Sequence, residues 1–174
     1  MKSTNIQYYV EGEDEKKLVN ILKTQLKMIK SGKVQKLNVV EELITDAMLR
    51  PLKTGTIVVL IFDTDTKNLG ILSYNITKLK KCNSVSKVIT IPQVANLEEE
   101  LVRSCDIKKI TELLNSSSLT DFKRDFIRIN NLDAKLLEHK FDINVFWSQK
   151  PPILYQNIDI ENDSKEIKLL KNKK

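Results

Sequence analysis

Short apolar runs alternate with longer amphipathic segments along the first half of this sequence. The longest apolar run, Thr56 to Phe62, is rich in β-branched residues, a pattern typical of a strand buried on both faces of a sheet. Ile6 to Val10 has the same character. Shorter runs at Lys36 to Val40 and Ser86 to Ile91 predict two more strands, the second ending before Pro92.

Amphipathic segments lie between these predicted strands. Apolar residues recur at helical spacing over Glu13 to Lys30, and Ser31-Gly32 provides a stop signal. Two more helices are predicted over Val40 to Leu49 and Leu69 to Lys81. Strands and helices therefore alternate, which is typical of a parallel sheet with helices on both faces. The sequence predicts an α/β fold with a mostly parallel, four-stranded sheet.

The second half of the chain has a helical texture without further clear strands. Its helical patterns cover Leu97 to Ser104, Ile107 to Leu114, Leu119 to Ile129 and Ala134 to Glu138. We therefore expect an α/β core over residues 1–105 and a helical extension packed on it over residues 106–162. Residues 163–174 are expected to form a lysine-rich tail.

Composition and charge narrow the class of protein. A chain of 174 residues, with 41% hydrophobic and 30% charged residues, is typical of one soluble globular unit. No apolar run is long enough to span a membrane, and no signal peptide is evident, so we expect a cytoplasmic protein without a membrane partner. Cys82 and Cys105 are far apart and are predicted to be free thiols. The net charge of +6 permits a polyanionic partner.

Two acidic clusters stand where predicted strands end. Glu11-Gly12-Glu13-Asp14-Glu15 follows the first strand directly, and Asp63-Thr64-Asp65 follows the strand that ends at Phe62. The carboxyl ends of neighbouring parallel strands meet at one crevice, where α/β sheets bind their ligands. Several carboxylates in one crevice repel each other unless a hard divalent cation is bound, usually Mg²⁺. The pattern predicts metal-assisted phosphate chemistry.

These motifs resemble those of the Toprim domain, the catalytic core of topoisomerases, primases and overcoming-lysogenization-defect (OLD) nucleases. Toprim domains place Glu-Gly at the end of the first strand and Asp-x-Asp at the end of a later buried strand. Glu11-Gly12 and Asp63-Thr64-Asp65 match both motifs, with room between them for the intervening elements. The resemblance covers about the first 105 residues. It implies a Toprim, Rossmann-like α/β fold with a helical C-terminal extension, and small stand-alone bacterial versions have this layout.

The resemblance also implies roles for individual carboxylates. Asp63 and Asp65 would bind Mg²⁺, with Mn²⁺ as a substitute, and Glu11 would act as general acid/base or as a shared ligand. The OLD type adds a second Glu four residues after the first, which Glu15 matches, and a further Glu after the last core strand, for which Glu98 is the nearest candidate. These two would complete a second metal position.

The implied activity is metal-dependent cleavage of phosphodiester bonds in DNA or RNA. By the same analogy, the protein would act in phage defence. OLD nucleases carry an ATPase beside their Toprim domain, whereas this sequence has no P-loop motif. The resemblance therefore implies either an independent nuclease or one controlled by a separate ATPase subunit.

Other interpretations of the same residues remain open. Acidic residues favour the first turn of any helix, which would explain Glu15 and the run Glu98-Glu99-Glu100 without catalysis. A non-catalytic module could use the acidic cluster to bind a metal or a partner. A receiver-like fold could use Asp63 as phospho-acceptor but needs a Lys after its last strand, where Ile91-Pro92-Gln93 has none. The single histidine, His139, is predicted to lie at the surface or at a helix end.

Overall fold

One parallel sheet organises the chain, which a computed structural model describes over residues 5–169. Its strands are β1 (Ile6–Val10), β2 (Lys33–Lys36), β3 (Thr56–Asp63) and β4 (Val85–Gln93), in the spatial order β2-β1-β3-β4. All three strand pairs are parallel. The predicted α/β fold is confirmed as an all-parallel, four-stranded sheet flanked by helices, consistent with a Rossmann-like fold.

Seven α-helices and two short 3₁₀ turns connect or follow the strands in the described part of the chain. The helices are α1 (Glu13–Thr24), α2 (Asp46–Leu49), α3 (Gly70–Lys80), α4 (Leu97–Ser104), α5 (Leu119–Arg128), α6 (Leu132–Glu138) and α7 (Ile153–Gln156). The 3₁₀ turns cover Ile110–Leu113 and Ser164–Glu166. Within residues 5–169, no helix combines the length and apolar character needed to cross a membrane.

The sheet separates two hydrophobic cores, because alternate residues of each strand face opposite sides. Val59 and Ile61 of β3 pack in the first core with α1, α4, α5 and α6. Val58 and Leu60 pack in the second core with α3 and with Tyr155 of α7. Both faces of β3 are covered, which explains why its sequence is continuously apolar rather than alternating.

Residues beyond 105 contribute to the same cores as the sheet. Phe122 and Phe126 of α5 lie in the first core, together with Phe146 and Trp147. The ammonium of Lys17 on α1 donates hydrogen bonds to main-chain carbonyls at the end of α5, including that of Phe126 at 2.7 Å. The helical extension is therefore built into the packing around the sheet.

Several predicted elements differ from those observed, among them a helix and the two segments that follow it. Helix α1 ends at Thr24 because Lys27 has a left-handed backbone (φ 52°). The strand predicted over Lys36 to Val40 lies earlier in the chain, as β2 over Lys33–Lys36, and residues 37–40 form a loop. Most of the predicted helix Val40 to Leu49 is a loop held by Asn75 of α3. Its side chain accepts a hydrogen bond from the Ile44 N–H and donates to two main-chain carbonyls.

The C-terminal segment covers one edge of the sheet. Asp163 N–H donates to the carbonyl of Thr90 on β4 at 2.9 Å, and the Thr90 hydroxyl donates to the carbonyl of Glu161 at 2.8 Å. The opposite edge is β2, whose first and last residues, Lys33 and Lys36, are exposed. Part of the predicted lysine-rich tail, residues 163–169, thus packs against the sheet, and its last five residues lie outside the described range.

Candidate functional site

The order of the strands reverses between β1 and β3. The chain passes from β1 to β2 on one side and then returns to place β3 on the other side of β1. In parallel α/β sheets such a switch point leaves a crevice at the carboxyl ends of the two strands. Glu11 follows β1 directly and Asp63 is the last residue of β3, so both acidic residues lie at this crevice.

Glu11 and Asp63 are in direct contact. The main-chain N–H of Asp63 donates to Oε2 of Glu11 at 3.0 Å, and both residues are half-buried. Burial raises the pKa of Glu11 above its usual range, and the charges of Asp65 and Glu41 add to this increase. Burial and the neighbouring Glu11 carboxylate raise the pKa of Asp63 to about 8. A negative charge on this pair is therefore unfavourable without a nearby cation.

A chain of hydrogen bonds orients the Asp63 carboxylate. Gln93, the last residue of β4, donates from Nε2 to Oδ1 of Asp63 at 2.6 Å. Trp147 then donates from Nε1 to Oε1 of Gln93 at 3.1 Å, which determines which way the amide of Gln93 points. Within residues 5–169, Oδ2 of Asp63 accepts no hydrogen bond. One Asp63 oxygen is thus held while the other remains available to a ligand.

Asp65 lies beyond the end of β3 and is exposed. The preceding Thr64 is tied to the residues after β4, because its hydroxyl donates to the Gln93 carbonyl at 3.0 Å and accepts from the Ala95 N–H at 3.1 Å. The backbone is no longer extended there, so strand alternation does not align Asp65 with Asp63. The charge of Asp65 nevertheless raises the pKa of both Glu11 and Asp63.

Glu15 is buried at the start of α1, where its carboxylate caps the helix. Its Oε2 accepts a hydrogen bond from the N–H of Gly12 at 2.9 Å. A Cβ atom at position 12 would lie 2.9 Å from the same oxygen, so the absence of a side chain at Gly12 makes room for the carboxylate. Burial raises the pKa of Glu15, and the charge of Glu11 adds to the increase. Glu15 thus adjoins the Glu11–Asp63 pair while serving as a cap.

The three glutamates at the start of α4 have three different environments. Glu98 forms an ion pair with Lys123 of α5 at 3.1 Å, and its charge also acts on Asp14 of α1. Glu99 is exposed. Glu100 is fully buried and accepts hydrogen bonds from two main-chain N–H groups, in addition to its ion pair with Arg103 at 2.9 Å.

These environments give Glu98 and Glu100 different roles. Glu100 holds the residue after β4 and the backbone of Trp147 together, because it accepts from the N–H of Val94 at 2.9 Å and of Trp147 at 3.1 Å. Its oxygens are fully engaged in this structural role. Glu98 instead contacts Lys123 of α5, and its charge acts on Asp14 of α1.

The donor atoms at the crevice match a hard divalent cation, because they are carboxylate oxygens. Within residues 5–169, however, no three Asp, Glu, His or Cys side chains stand close enough to enclose a metal ion together. Mg²⁺ commonly binds proteins through one or two carboxylates and keeps water and substrate phosphate as its other ligands. Glu11 and Asp63 fit that mode, and the charges of Asp65 and Glu15 act on the pair without closing a cage.

Several residues of this site were not predicted from the sequence. Gln93 is a polar residue at the end of an apolar buried strand, a signal that could have identified it. Lys123 lies on α5, and its pKa is raised by its hydrogen bond to Glu98 and by the charges of Glu98, Asp14 and Asp63. Trp147 is separated from Gln93 by 54 positions, so no local pattern reveals their contact.

The single histidine is not one of these residues. His139 is the residue that ends helix α6, as predicted.

Comparison with known proteins finds no protein-family model, no curated protein and no solved structure that matches this chain. The functional argument therefore depends on the geometry of the crevice and on the chemistry of its side chains.

Proposed function

We propose that the protein is a metal-dependent nuclease of the Toprim type, which cleaves phosphodiester bonds of DNA or RNA at the β1/β3 crevice. The contact between Glu11 and Asp63 carries this proposal. It brings the Glu-Gly and Asp-x-Asp motifs, which are 52 positions apart, to one point of a parallel sheet. The hydrogen bond itself is an ordinary main-chain N–H to carboxylate bond, whereas the raised pKa values of the two carboxyl groups that it places together favour a bound cation.

Mg²⁺ or Mn²⁺ bound by Glu11 and Asp63 would neutralise charge on the scissile phosphate and stabilise the attacking and leaving oxygens. Asp65, which is exposed beside them, adds a ligand through water or by side-chain rotation. Glu11 has a raised pKa and is suited to accept a proton from the attacking water. Glu15 and Glu98 would complete a second metal position, as the resemblance to OLD-type Toprim domains implies.

Lys123 supports the same assignment from the helical extension. Its ammonium lies 3.1 Å from Glu98 and interacts electrostatically with Asp14 and Asp63. An ammonium beside a carboxylate crevice is suited to hold a phosphate oxygen of the substrate. The extension would then supply the cationic side of the site and the sheet its acidic side.

The test is cleavage of plasmid DNA and of a structured RNA with Mg²⁺ or Mn²⁺ by wild type and by Asp63→Asn. The Asn side chain keeps an oxygen for the Gln93 hydrogen bond, so the variant is expected to fold. We expect cleavage to fall at least 100-fold, as a rough estimate for a lost metal ligand. Asp133→Asn on α6 is the matched control and should cleave as wild type does.

A non-catalytic module that binds a metal or a partner, such as the effector subunit of a separate ATPase, is the alternative. It is favoured by the lack of a closed three-carboxylate group within residues 5–169 and by the capping and ion-pair roles of Glu15 and Glu98. It predicts that Mg²⁺ raises the Tm of wild type but not of Asp63→Asn, with no cleavage of either nucleic acid. A receiver-like function is disfavoured, because the amide of Gln93 stands where a receiver needs an ammonium.

A further inference from the structure

A cavity of about 580 Å³ lies between two segments of the C-terminal region. One wall comes from residues 144–151 and the other from residues 156–168. None of the acidic-site carboxylates lines it. Its volume falls in the range of small-molecule sites, which is about 300–1,000 Å³. The cavity is therefore a candidate binding site distinct from the crevice.

Lys168 is a buried cation in the wall of this cavity. It is only 7% exposed, and its backbone is fixed by an antiparallel bridge to Ile29. Two flanking hydrogen bonds, Lys30 N–H to the Ile167 carbonyl (2.9 Å) and Leu169 N–H to the Met28 carbonyl (2.8 Å), hold the segment in place. The backbone of this part of the cavity wall is therefore held in place on both sides of Lys168.

The charge of Lys168 has little compensation. Its ammonium donates to the carbonyl of Phe146, and within residues 5–169 it forms no ion pair. An ammonium has three N–H donors, so at least one donor beyond this bond needs a partner. Glu100 and Asp142 act on it only at longer range, and Lys165 opposes them. Burying a cation without a counter-ion costs free energy of desolvation, and an anion bound in the cavity would offset that cost.

The rest of the lining suits a phosphate-bearing ligand with an apolar part. Lys150 and Lys165 are exposed and form no ion pair in the described part of the chain, and Glu161 is the one acidic residue of the lining. Pro151 and Ile160 are buried and give the cavity an apolar wall beside the single tryptophan, Trp147. The volume exceeds what inorganic phosphate alone would fill.

We propose that this cavity binds a phosphate-bearing ligand of nucleotide size, with Lys168 in its wall and Lys150 and Lys165 supplying further positive charge. The phosphate accepts hydrogen bonds from the ammonium groups, and the base or another flat group packs against the apolar wall. A free mononucleotide and the 5′-phosphate end of an oligonucleotide share this chemistry. Binding at the cavity does not require the proposed nuclease activity.

Binding is measured by calorimetry and by the fluorescence of Trp147, the only tryptophan of the chain, with chelator present so that no metal contributes. The probes are a nucleoside monophosphate, a 5′-phosphorylated oligonucleotide, inorganic phosphate and the matching nucleoside. We expect saturable binding of the monophosphate and no binding of the nucleoside. Binding of the oligonucleotide only with its 5′-phosphate would assign the site to strand ends, whereas exclusive binding of the monophosphate would assign it to a free nucleotide.

Lys168→Met removes the charge but keeps the length of the side chain, and it should weaken binding by about tenfold or more. The double variant Lys150→Gln/Lys165→Gln changes only exposed residues and provides the same test if Lys168→Met does not fold. Lys108→Gln, at an exposed lysine on another surface, should bind as wild type does. Asp63→Asn should also retain binding, which separates the cavity from the crevice.

Three results would overturn the proposal. The first is no heat and no fluorescence change with the monophosphate, the oligonucleotide or phosphate at concentrations of about 10 mM. The second is unchanged affinity in both lysine variants. The third is loss of binding in Asp63→Asn, which would place the ligand at the acidic crevice instead.

Discussion

Three ionisable side chains, two of them buried and one half-buried, have their charges compensated in different ways. Glu100 is compensated by Arg103 and by two main-chain N–H donors. Asp63 receives one amide hydrogen bond from Gln93 but faces the like charge of Glu11. Lys168 donates to a carbonyl oxygen and, within residues 5–169, forms no ion pair. Glu100 therefore serves stability, whereas Asp63 and Lys168 each favour an incoming ion of opposite charge.

Lys168→Met is predicted to stabilise the ligand-free protein at neutral pH. Burial lowers the pKa of Lys168 from 10.5 to about 8 in the folded protein, so below that pH folding carries the cost of a buried charge. The cost declines as pH rises through 8 and is gone above 10.5, where the amine is neutral in the folded and unfolded states alike. We expect the variant to gain about 1–2 kcal/mol in free energy of unfolding near pH 6.

Urea unfolding at about pH 6 and about pH 10 measures this effect, and the gain should shrink at the higher pH. Lys108→Met, at an exposed lysine, should show no such pH-dependent gain. An equal or larger gain at the higher pH would show that packing of the methionine, rather than removal of charge, stabilises the variant.

Helix α5 connects the extension to the acidic crevice. One side of it packs Phe122 and Phe126 into the first core, and Lys123, between them in sequence, extends to Glu98. The aromatic side chains fix the helix and so the backbone of Lys123, while the ion pair with Glu98 orients its ammonium. An exposed ion pair contributes less than about 1 kcal/mol, so its main consequence is expected in binding.

Lys123→Gln is predicted to raise KM for a nucleic-acid substrate by about tenfold, with a smaller effect on kcat and little change in stability. Lys123→Arg should restore most of the affinity, because it keeps the charge. Arg124→Gln is the control, since Arg124 is the neighbouring cation of the same helix and pairs with Asp121 and Asp125 instead. Equal effects of Lys123→Gln and Arg124→Gln would indicate a general loss of positive charge rather than a specific contact.

The elements that the sequence predicted well are those whose own residues determine them. Strand β3 and helix α5 follow from a continuous apolar run and from helical periodicity with a Ser118 cap. The loop after β2 could not be predicted, because Asn75 of α3 supplies the hydrogen bonds that its backbone would otherwise find in a helix. The shortened α1 likewise depends on a distant partner, the bridge between Ile29 and Lys168.

In the candidate site, too, some positions follow from the local sequence and others depend on distant contacts. The positions of Glu11 and Asp63 could be predicted, because strand ends of a parallel sheet converge whatever the loops do. The alignment of Asp65 could not, since Thr64 bends the chain by bonding to residues after β4. Gln93 could have been noticed as a polar residue at the end of an apolar strand, but its contact with Trp147 depends on the packing of the extension and leaves no local pattern.

The sheet and the helical extension share one hydrophobic core, so we expect them to unfold together. The first core combines Val59 and Ile61 of β3 with Phe126, Phe146 and Trp147 from beyond residue 105. Removing the extension would expose that face of the sheet and leave the amide of Gln93 without its indole donor. We therefore expect residues 1–105 alone to lack a cooperative unfolding transition.

Circular dichroism during thermal unfolding compares residues 1–105 with the whole chain and with residues 1–169, which retain every contact described here. The two longer chains should unfold cooperatively, and the short one should show a broad transition and bind a dye for exposed apolar surface. A sharp transition of the short chain would demonstrate instead that the sheet is an independent folding unit.

The two edges of the sheet also decide how copies of this protein can meet. Along β4, the Asp163 N–H already occupies the carbonyl of Thr90, and the C-terminal segment lies beside it. Along β2, two copies pairing edge to edge would bring the exposed ammonium groups of Lys33 and Lys36 together. Strand addition, the route by which open sheet edges nucleate fibrils, is thus hindered at one edge by the C-terminal segment and opposed at the other by charge repulsion.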